Sequence, residues 1–451
     1  MSRNRKRSAN VLLDYRGLIL GLGLLVTGVF GLLVLLTPLG GKVKKGLGEL
    51  LSKRPAKVEK ENGPQASEKT QSGESLSPLE ADPDPQFPRG TLRPLSDTNI
   101  RSLSKGINLK VVFDAEQGEL ASVERDDDDS YVAEYSLKVR MPRPATSLSE
   151  VALTSPHLME VFPGLREMIP RAKVSAWYRQ LYANKAARLK SDVGRLSEIL
   201  SRHNFYDCET ILNLRSEATG QRLFLMQAEM DVVSDGSDGD RLPQMPEAIV
   251  NSTNYQPFTS YRWRKTGSTP NPMIAGWENR IGNAKKELED PAVGQDRAAW
   301  LKSRMKMLET GIADMKFASF LIAEYDPFIV IPVNIVKDRR DPYAPNIGDF
   351  AIVLHGRAAY PAIVGDAGPT YKVGEASLRM AREINTNATP YSRPVSDLTV
   401  TYLVFPRSAD DPKRAPDYGH WRARCAELVN QVGGLGEGVE LHEWINLLPA
   451  K

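Results

Sequence analysis

The sequence predicts an α+β protein: a β-barrel-like core with helical insertions, set behind one transmembrane helix and a disordered linker. Three observations carry this. Residues 17–41 form an uncharged, apolar run. A Pro-, Ser- and Lys-rich stretch poor in apolar residues follows it, to about residue 105. Beyond that, short runs with period-two alternation are interrupted by long helical patterns. They do not form the regular strand–helix–strand units of a parallel sheet.

The apolar run covers 25 positions dominated by Leu, Val, Ile and Phe. A helix rises 1.5 Å per residue, so roughly 20 such residues span the hydrocarbon core of a bilayer. A cleaved signal peptide has a shorter apolar region that ends in a small-x-small site. No Ala-x-Ala pattern follows this one, so an uncleaved anchor is expected. Residues 1–16 form a basic tail with Arg3, Arg5, Lys6, Arg7 and Arg16. Lys42, Lys44 and Lys45 lie on the other flank, so the distribution of positive charge does not orient the helix. Residues 42–105 contain Pro55, Pro64, Pro78, Pro83, Pro85 and Pro88 among polar residues. They bury too little to offset the entropy of ordering, and read as a tether.

Runs at 109–113 and 131–139 read as strands, with the acidic Asp126–Asp129 stretch between them as a solvated loop. A helix is expected over 174–203, from apolar spacing at Trp177, Leu181, Leu189, Val193, Leu196 and Leu200. Strands follow at 208–214 and 223–230. Residues 276–309 read as a helical insertion whose packed stripe is Trp300, Met305 and Leu308. The clearest strands are 328–333, 350–354, 359–364 and 398–405. The connection His355-Gly356-Arg357-Ala358 joins two of them as a hairpin. Residues 106–220 are set apart as an accessory α/β region and 221–451 as the catalytic domain.

The formal net charge is +3, which gives no global argument for nucleic acid. Two cysteines, Cys208 and Cys425, exclude a disulfide scaffold. One bridge and two separate buried thiols are both consistent with them. The five histidines lack metal-ligand spacing, and there is neither a Gly-x-Ser-x-Gly elbow nor a phosphate loop.

Chemistry is expected at Gly365-Asp366-Ala367-Gly368-Pro369 and Lys372-Val373-Gly374-Glu375-Ala376-Ser377. Asp366 ends an apolar strand. Glu375 is expected in the first turn of a helix stepping through Ala376, Met380 and Ile384. The turn between them lets both carboxylates converge on one cleft. Glycoside hydrolysis uses such a pair, one carboxyl protonating the leaving oxygen while the other activates water or attacks the sugar. Each residue alone has a simpler reading: Asp before Ala-Gly-Pro as a turn cap, Glu as a helix-dipole partner. A second candidate is the acidic run Asp231, Asp235, Asp238 and Asp240, as a carboxylate-lined groove or a plain solvated loop. An EF-hand is excluded because Val233 and Leu242 fall at ligand positions. Tyr255, Tyr261 and Trp263 are candidates for stacking on sugar rings.

Residues 226–405 resemble glycoside hydrolase family 75, the fungal-type chitosanases. Met230-Asp231-Val232 with Asp235-Gly236, Gln256 with Thr259-Ser260-Tyr261, and Pro327-Phe328-Ile329-Val330 occur in the family's order. So do Gly348-Asp349-Phe350-Ala351-Ile352-Val353, Tyr360, Gly365-Asp366 and Gly374-Glu375-Ala376-Ser377. Thr401-Tyr402-Leu403-Val404-Phe405-Pro406 closes the series. The combination of Gly-Asp with Gly-Glu-Ala-Ser is the specific part. The resemblance implies endo-hydrolysis of β-1,4-linked glucosamine, with inversion and without metal or other cofactor. Asp366 and Glu375 would be the essential pair, and Asp231, Asp235, Tyr360 and Lys372 the substrate-binding residues. It also implies an outward-facing domain with a polysaccharide as partner. Val233 and Ser234 replace an Asp and a Cys of the family pattern, which leaves a related amino-sugar glycan open as substrate. The helix N-terminus expected at Glu375 would keep it ionised as base, and desolvation would make Asp366 the acid. The strand–Asp–turn–Gly–helix block also resembles double-psi β-barrels, which implies six strands. Two rivals stay open: a lytic transglycosylase using Asp366 alone, and a glycan-binding module without catalysis.

Overall fold

The structure, a computed structural model, describes residues 93–94, 112–113, 118–131, 137–192 and 202–449. The expected transmembrane segment and nearly all of the expected linker lie outside these. Among the described residues no helix is long and apolar enough to cross a membrane. Within the linker range, Arg93–Pro94 pairs antiparallel with Val112–Phe113.

The main sheet is built from β1 (Lys173–Val174), β2 (Cys208–Arg215), β3 (Arg222–Val233), β6 (Phe328–Pro332), β7 (Phe350–His355), β8 (Ala358–Gly368), β9 (Glu375–Ser377) and β10 (Val395–Val404). Two further strands, β4 (Arg262–Arg264) and β5 (Ala318–Phe320), pair with each other alone. Six strands of the main sheet close on themselves in the order β9-β6-β8-β7-β10-β3, with β9 returning to β3. The expectation of a barrel-like α+β core is met by this closed barrel.

Closure depends on one long strand. Residues 222–228 of β3 pair with β2, which in turn carries β1. Farther along the same strand, Asp231, Val232 and Val233 pair with β9 instead. The pairings of β6 with β8 and of β3 with β9 are parallel, and the other pairings within the barrel are antiparallel.

Both faces of the barrel strands are buried, which is why their sequences read as unbroken apolar runs. Along β7, Phe350, Ile352 and Leu354 belong to one buried cluster, whereas Ala351 and Val353 belong to the other. Helix α6 (Tyr418–Asn430) covers the first face with Trp421, Cys425, Leu428 and Val429. The described residues of segment 137–220 pack onto the barrel through β2, through α1 (Leu148–Thr154), whose Val151 enters the first cluster, and through α2 (Ala176–Asp192), whose Tyr178, Leu181 and Tyr182 enter the second.

Some expectations are met, one open choice is decided and others need correction. Tyr131 ends a 3₁₀ turn, and residues 137–139 are not a strand. The helical insertion is a hairpin of α3 (Ile274–Leu288) and α4 (Gln295–Phe317), with its own cluster around Trp277, Ile281, Leu308 and Ile312. Trp300 lies outside that cluster. It is 53% exposed, with the Arg297 guanidinium 4.4 Å above its ring. Cys208 and Cys425 are free and sit in opposite clusters, so they do not form a bridge.

Candidate active site

Asp366 lies within β8, six residues beyond Tyr360. Its aim is set by a bulge. Ile363 and Val364 pair with Phe328 and Ile329, but the next residue to pair, with Val330, is Asp366. Gly365 is the extra residue, and it returns Asp366 to the face that carries Ile363, Phe328 and Val330. Only glycine fits there, because a Cβ would fall 2.5 Å from the buried Phe328 ring.

On the other edge of β6, Val330 pairs with Glu375, and Glu375 in turn pairs with Asp231 of β3. One row therefore crosses four strands: Asp366, Val330, Glu375, Asp231. Paired residues point to the same face. Adjacent strands lie about 4.8 Å apart, so Asp366 and Glu375 are separated by roughly 10 Å of backbone. Where Gly368 stands, any Cβ would meet Glu375 Oε2 at 2.7 Å, so the carboxyl lies against the bare backbone of β8.

Glu375 is not in the first turn of a helix, as the sequence suggested. It starts β9, and α5 (Leu378–Ile384) begins only after Ser377. The Ser377 hydroxyl accepts from the Met380 N–H, so serine provides the N-cap and the residues before it remain extended. The helix dipole is thus not aimed at Glu375. Its carboxylate faces Lys372 instead, whose ammonium is 2.9 Å from Glu375 and 2.6 Å from Asp231.

Asp366 accepts hydrogen bonds from the Ser260 N–H at 2.9 Å, the Ser260 hydroxyl at 2.6 Å and the Ala367 N–H at 2.8 Å. Burial nevertheless pushes its carboxyl up to about 6, and the Glu375 charge adds to the effect. Asp235 accepts from the Gln256 N–H at 2.8 Å. Burial holds it well above the usual carboxylate range, followed by repulsion from Asp366 and, more weakly, from Glu375. Burial alone would also raise Asp231, but Lys372 and Arg393 bring it below its ordinary value. For Lys372, burial opposes the charge, and Glu375 with Asp231 overcomes it to raise the ammonium above its normal range.

The fold therefore brings together Asp231, Asp235, Asp366, Lys372 and Glu375. Tyr360 is not among them: six residues along a strand is roughly 20 Å, and its ring packs on His442 and Trp444. Asp238 and Asp240 do not line a groove. Asp238 is buried against Arg241 and Ser319, and Asp240 is paired with Lys265. Tyr261 and Trp263 are core residues rather than sugar platforms, and Tyr255 donates its hydroxyl to the Gly236 carbonyl.

Two neighbours carry no assignment from the sequence reading. Ser260 appears there only as part of a family run, with nothing to mark it as a partner of residue 366. Arg393, flanked by Ser392 and Pro394, has no motif at all.

Residues 230–438 match the family model described as fungal chitosanase of glycosyl hydrolase group 75. The C-terminal domain belongs to that family. It is a glycoside hydrolase domain, and the match spans β6 to β10, the Asp366 bulge and the Glu375 strand. No curated protein matches the chain.

Proposed function

We propose that the chain is an endo-acting, inverting hydrolase of β-1,4-linked glucosamine polymers, with Asp366 as general acid and Glu375 as general base. The reading rests on the row Asp366–Val330–Glu375, which puts two carboxylates on one face with unequal surroundings. On this reading the two carboxyls stand ~6.5–9.5 Å apart, the separation that leaves room for an attacking water in inversion. Asp366, raised by burial, retains a proton under mildly acidic conditions and delivers it to the glycosidic oxygen as the bond breaks. Glu375, ion-paired with Lys372, takes a proton from water as that water attacks the anomeric carbon from the opposite side. Asp235, pushed towards its neutral form by burial and by Asp366, would contact the substrate through hydrogen bonding rather than through charge.

The two parallel pairings in the barrel fit the double-psi type. The uncharged run at 17–41 supports a membrane anchor with the domain outside the cytoplasm. The test is incubation of the chain with chitosan, chitin and peptidoglycan, reading product masses and anomeric configuration. Chitosan oligomers released first as the α-anomer support the proposal. Anhydro-sugar products or the absence of new reducing ends would overturn it. Azide rescue of Glu375→Gln but not of Asp366→Asn supports the base assignment, and the opposite pattern reverses it.

A further inference from the structure

Lys372 was expected to bind substrate, yet both its carboxylate contacts lie within the protein. They belong to a longer chain of charges. Arg393 places Nη2 3.2 Å from Asp231 Oδ2 and Nε 3.1 Å from Glu229 Oε1. The Glu229 contact is one of charge rather than an aligned hydrogen bond. His203 approaches the other oxygen of Glu229. Asp231 also accepts from the Val232 N–H at 2.9 Å and then holds Lys372, which holds Glu375. Signs alternate along Glu229, Arg393, Asp231, Lys372 and Glu375, and each contact runs between different elements or across a turn.

We infer that Arg393 and Lys372 form a positioning unit for Glu375, fixing its carboxylate opposite Asp366 through the ion chain anchored at Glu229. The inference rests on the reading of Glu375 as base. Three features carry it. Asp231 and Glu375 are register partners on parallel strands, so two like charges face each other across one strand spacing. Such a pair is repulsive unless a cation lies between them, and Lys372 supplies it. A flexible lysine would choose either carboxylate, but Arg393 competes for the same Asp231 oxygen that Lys372 contacts. Arg393 thereby leaves the lysine shared with Glu375. The planar guanidinium spans Glu229 and Asp231 at once, which a lysine's point charge would not do. The buried Glu229 fixes the end of the chain remote from the cleft.

Both cations are engaged by carboxylates of the protein itself, so the unit is expected to act on turnover rather than on affinity. In the full-length chain acting on chitosan oligomers, Arg393→Met and Lys372→Met are each expected to lower kcat roughly 10- to 100-fold with little change in KM, as a misplaced catalytic group does. Lys372→Arg, which keeps a cation between the two carboxylates, should recover a large part of the loss. Arg393→Lys should recover less. A raised KM at unchanged kcat would overturn the inference, because the cations would then be substrate contacts. Unchanged kcat and KM in both methionine variants would overturn it too. Melting curves are recorded in parallel. If Arg393→Met does not fold, the contrast between Lys372→Arg and Lys372→Met decides. Glu375→Gln separates the two levels. If it retains activity, the base assignment fails; if it is inactive while both methionine variants turn over normally, only the positioning unit fails.

Discussion

At Asp366 two opposing influences act on one carboxyl. Burial disfavours its charge, while the hydroxyl and N–H of Ser260 and the N–H of Ala367 favour it, and burial prevails. If Asp366 is the acid, kcat/KM should fall as pH rises through about 6. Ser260→Ala removes one donor to the ionised form, so the carboxyl should hold its proton to higher pH and that basic limb should move up. A pH–rate profile that is unmoved by this substitution would count against the assignment. Stability carries the same sign. The folded carboxyl titrates near 6, above the unfolded ~3.9. Its contribution is therefore complete below the unfolded value and is lost as pH rises through the folded one. Asp366→Asn should flatten that decline in melting temperature between the unfolded value of ~3.9 and the folded value of about 6. Asp366 was legible in the sequence because an Asp in Gly-Asp-Ala-Gly-Pro after an apolar run stands out. Its Ser260 donors were not, since the two residues are 106 positions apart.

At the scale of elements, the turn from β8 to β9 decides where Glu375 points, and it is held from outside. Asn184 of α2 donates to the Thr370 carbonyl at 2.8 Å, and Asp207 accepts from the Val373 N–H at 3.1 Å. Asp207 is in turn paired with Lys185 at 2.7 Å, both fully or nearly buried. Segment 137–220 thus supports the turn bearing Lys372. Lys185→Met would leave a buried carboxylate unpaired, with an expected destabilisation of about 3–5 kcal/mol by denaturant titration. Gly374 has φ +77°, and a Cβ there would meet the Glu229 carbonyl at 2.3 Å. Gly374→Ala should therefore cost about 1–3 kcal/mol and depress turnover, by displacing both Glu375 and the anchor of the ion chain. The glycine was visible in the sequence as a break in the pattern. That a strand rather than a helix follows it was not, because Glu-Ala-Ser is too short for any period to register. Ser377 was the available cue, as an N-cap three residues later than assumed.

Across the whole molecule, closure of the barrel creates the site. Asp231, Asp366 and Glu375 come from β3, β8 and β9, and only the return of β9 to β3 sets them in one row with Val330. The two thiols lie in opposite buried clusters, so a thiol reagent should titrate neither Cys208 nor Cys425 until denaturant is added. A reducing agent should leave the melting temperature unchanged. Reaction of either thiol in the native protein would contradict this packing. The sequence by itself determined the kind of protein: strands from alternation and apolar runs, the helical insertion, and the Asp and Glu that carry the family's motif. These are local signals, written within a few residues of one another. Only the tertiary structure decided which carboxylates are neutralised and which stand free. It sent Tyr360, Tyr261 and Trp263 into packing, turned Lys372 inward, and brought in Arg393 from a loop with no motif. The reason is physical: a side chain's charge partners are set by register and strand order, and residues far apart in the chain leave no periodic trace of the contact they make.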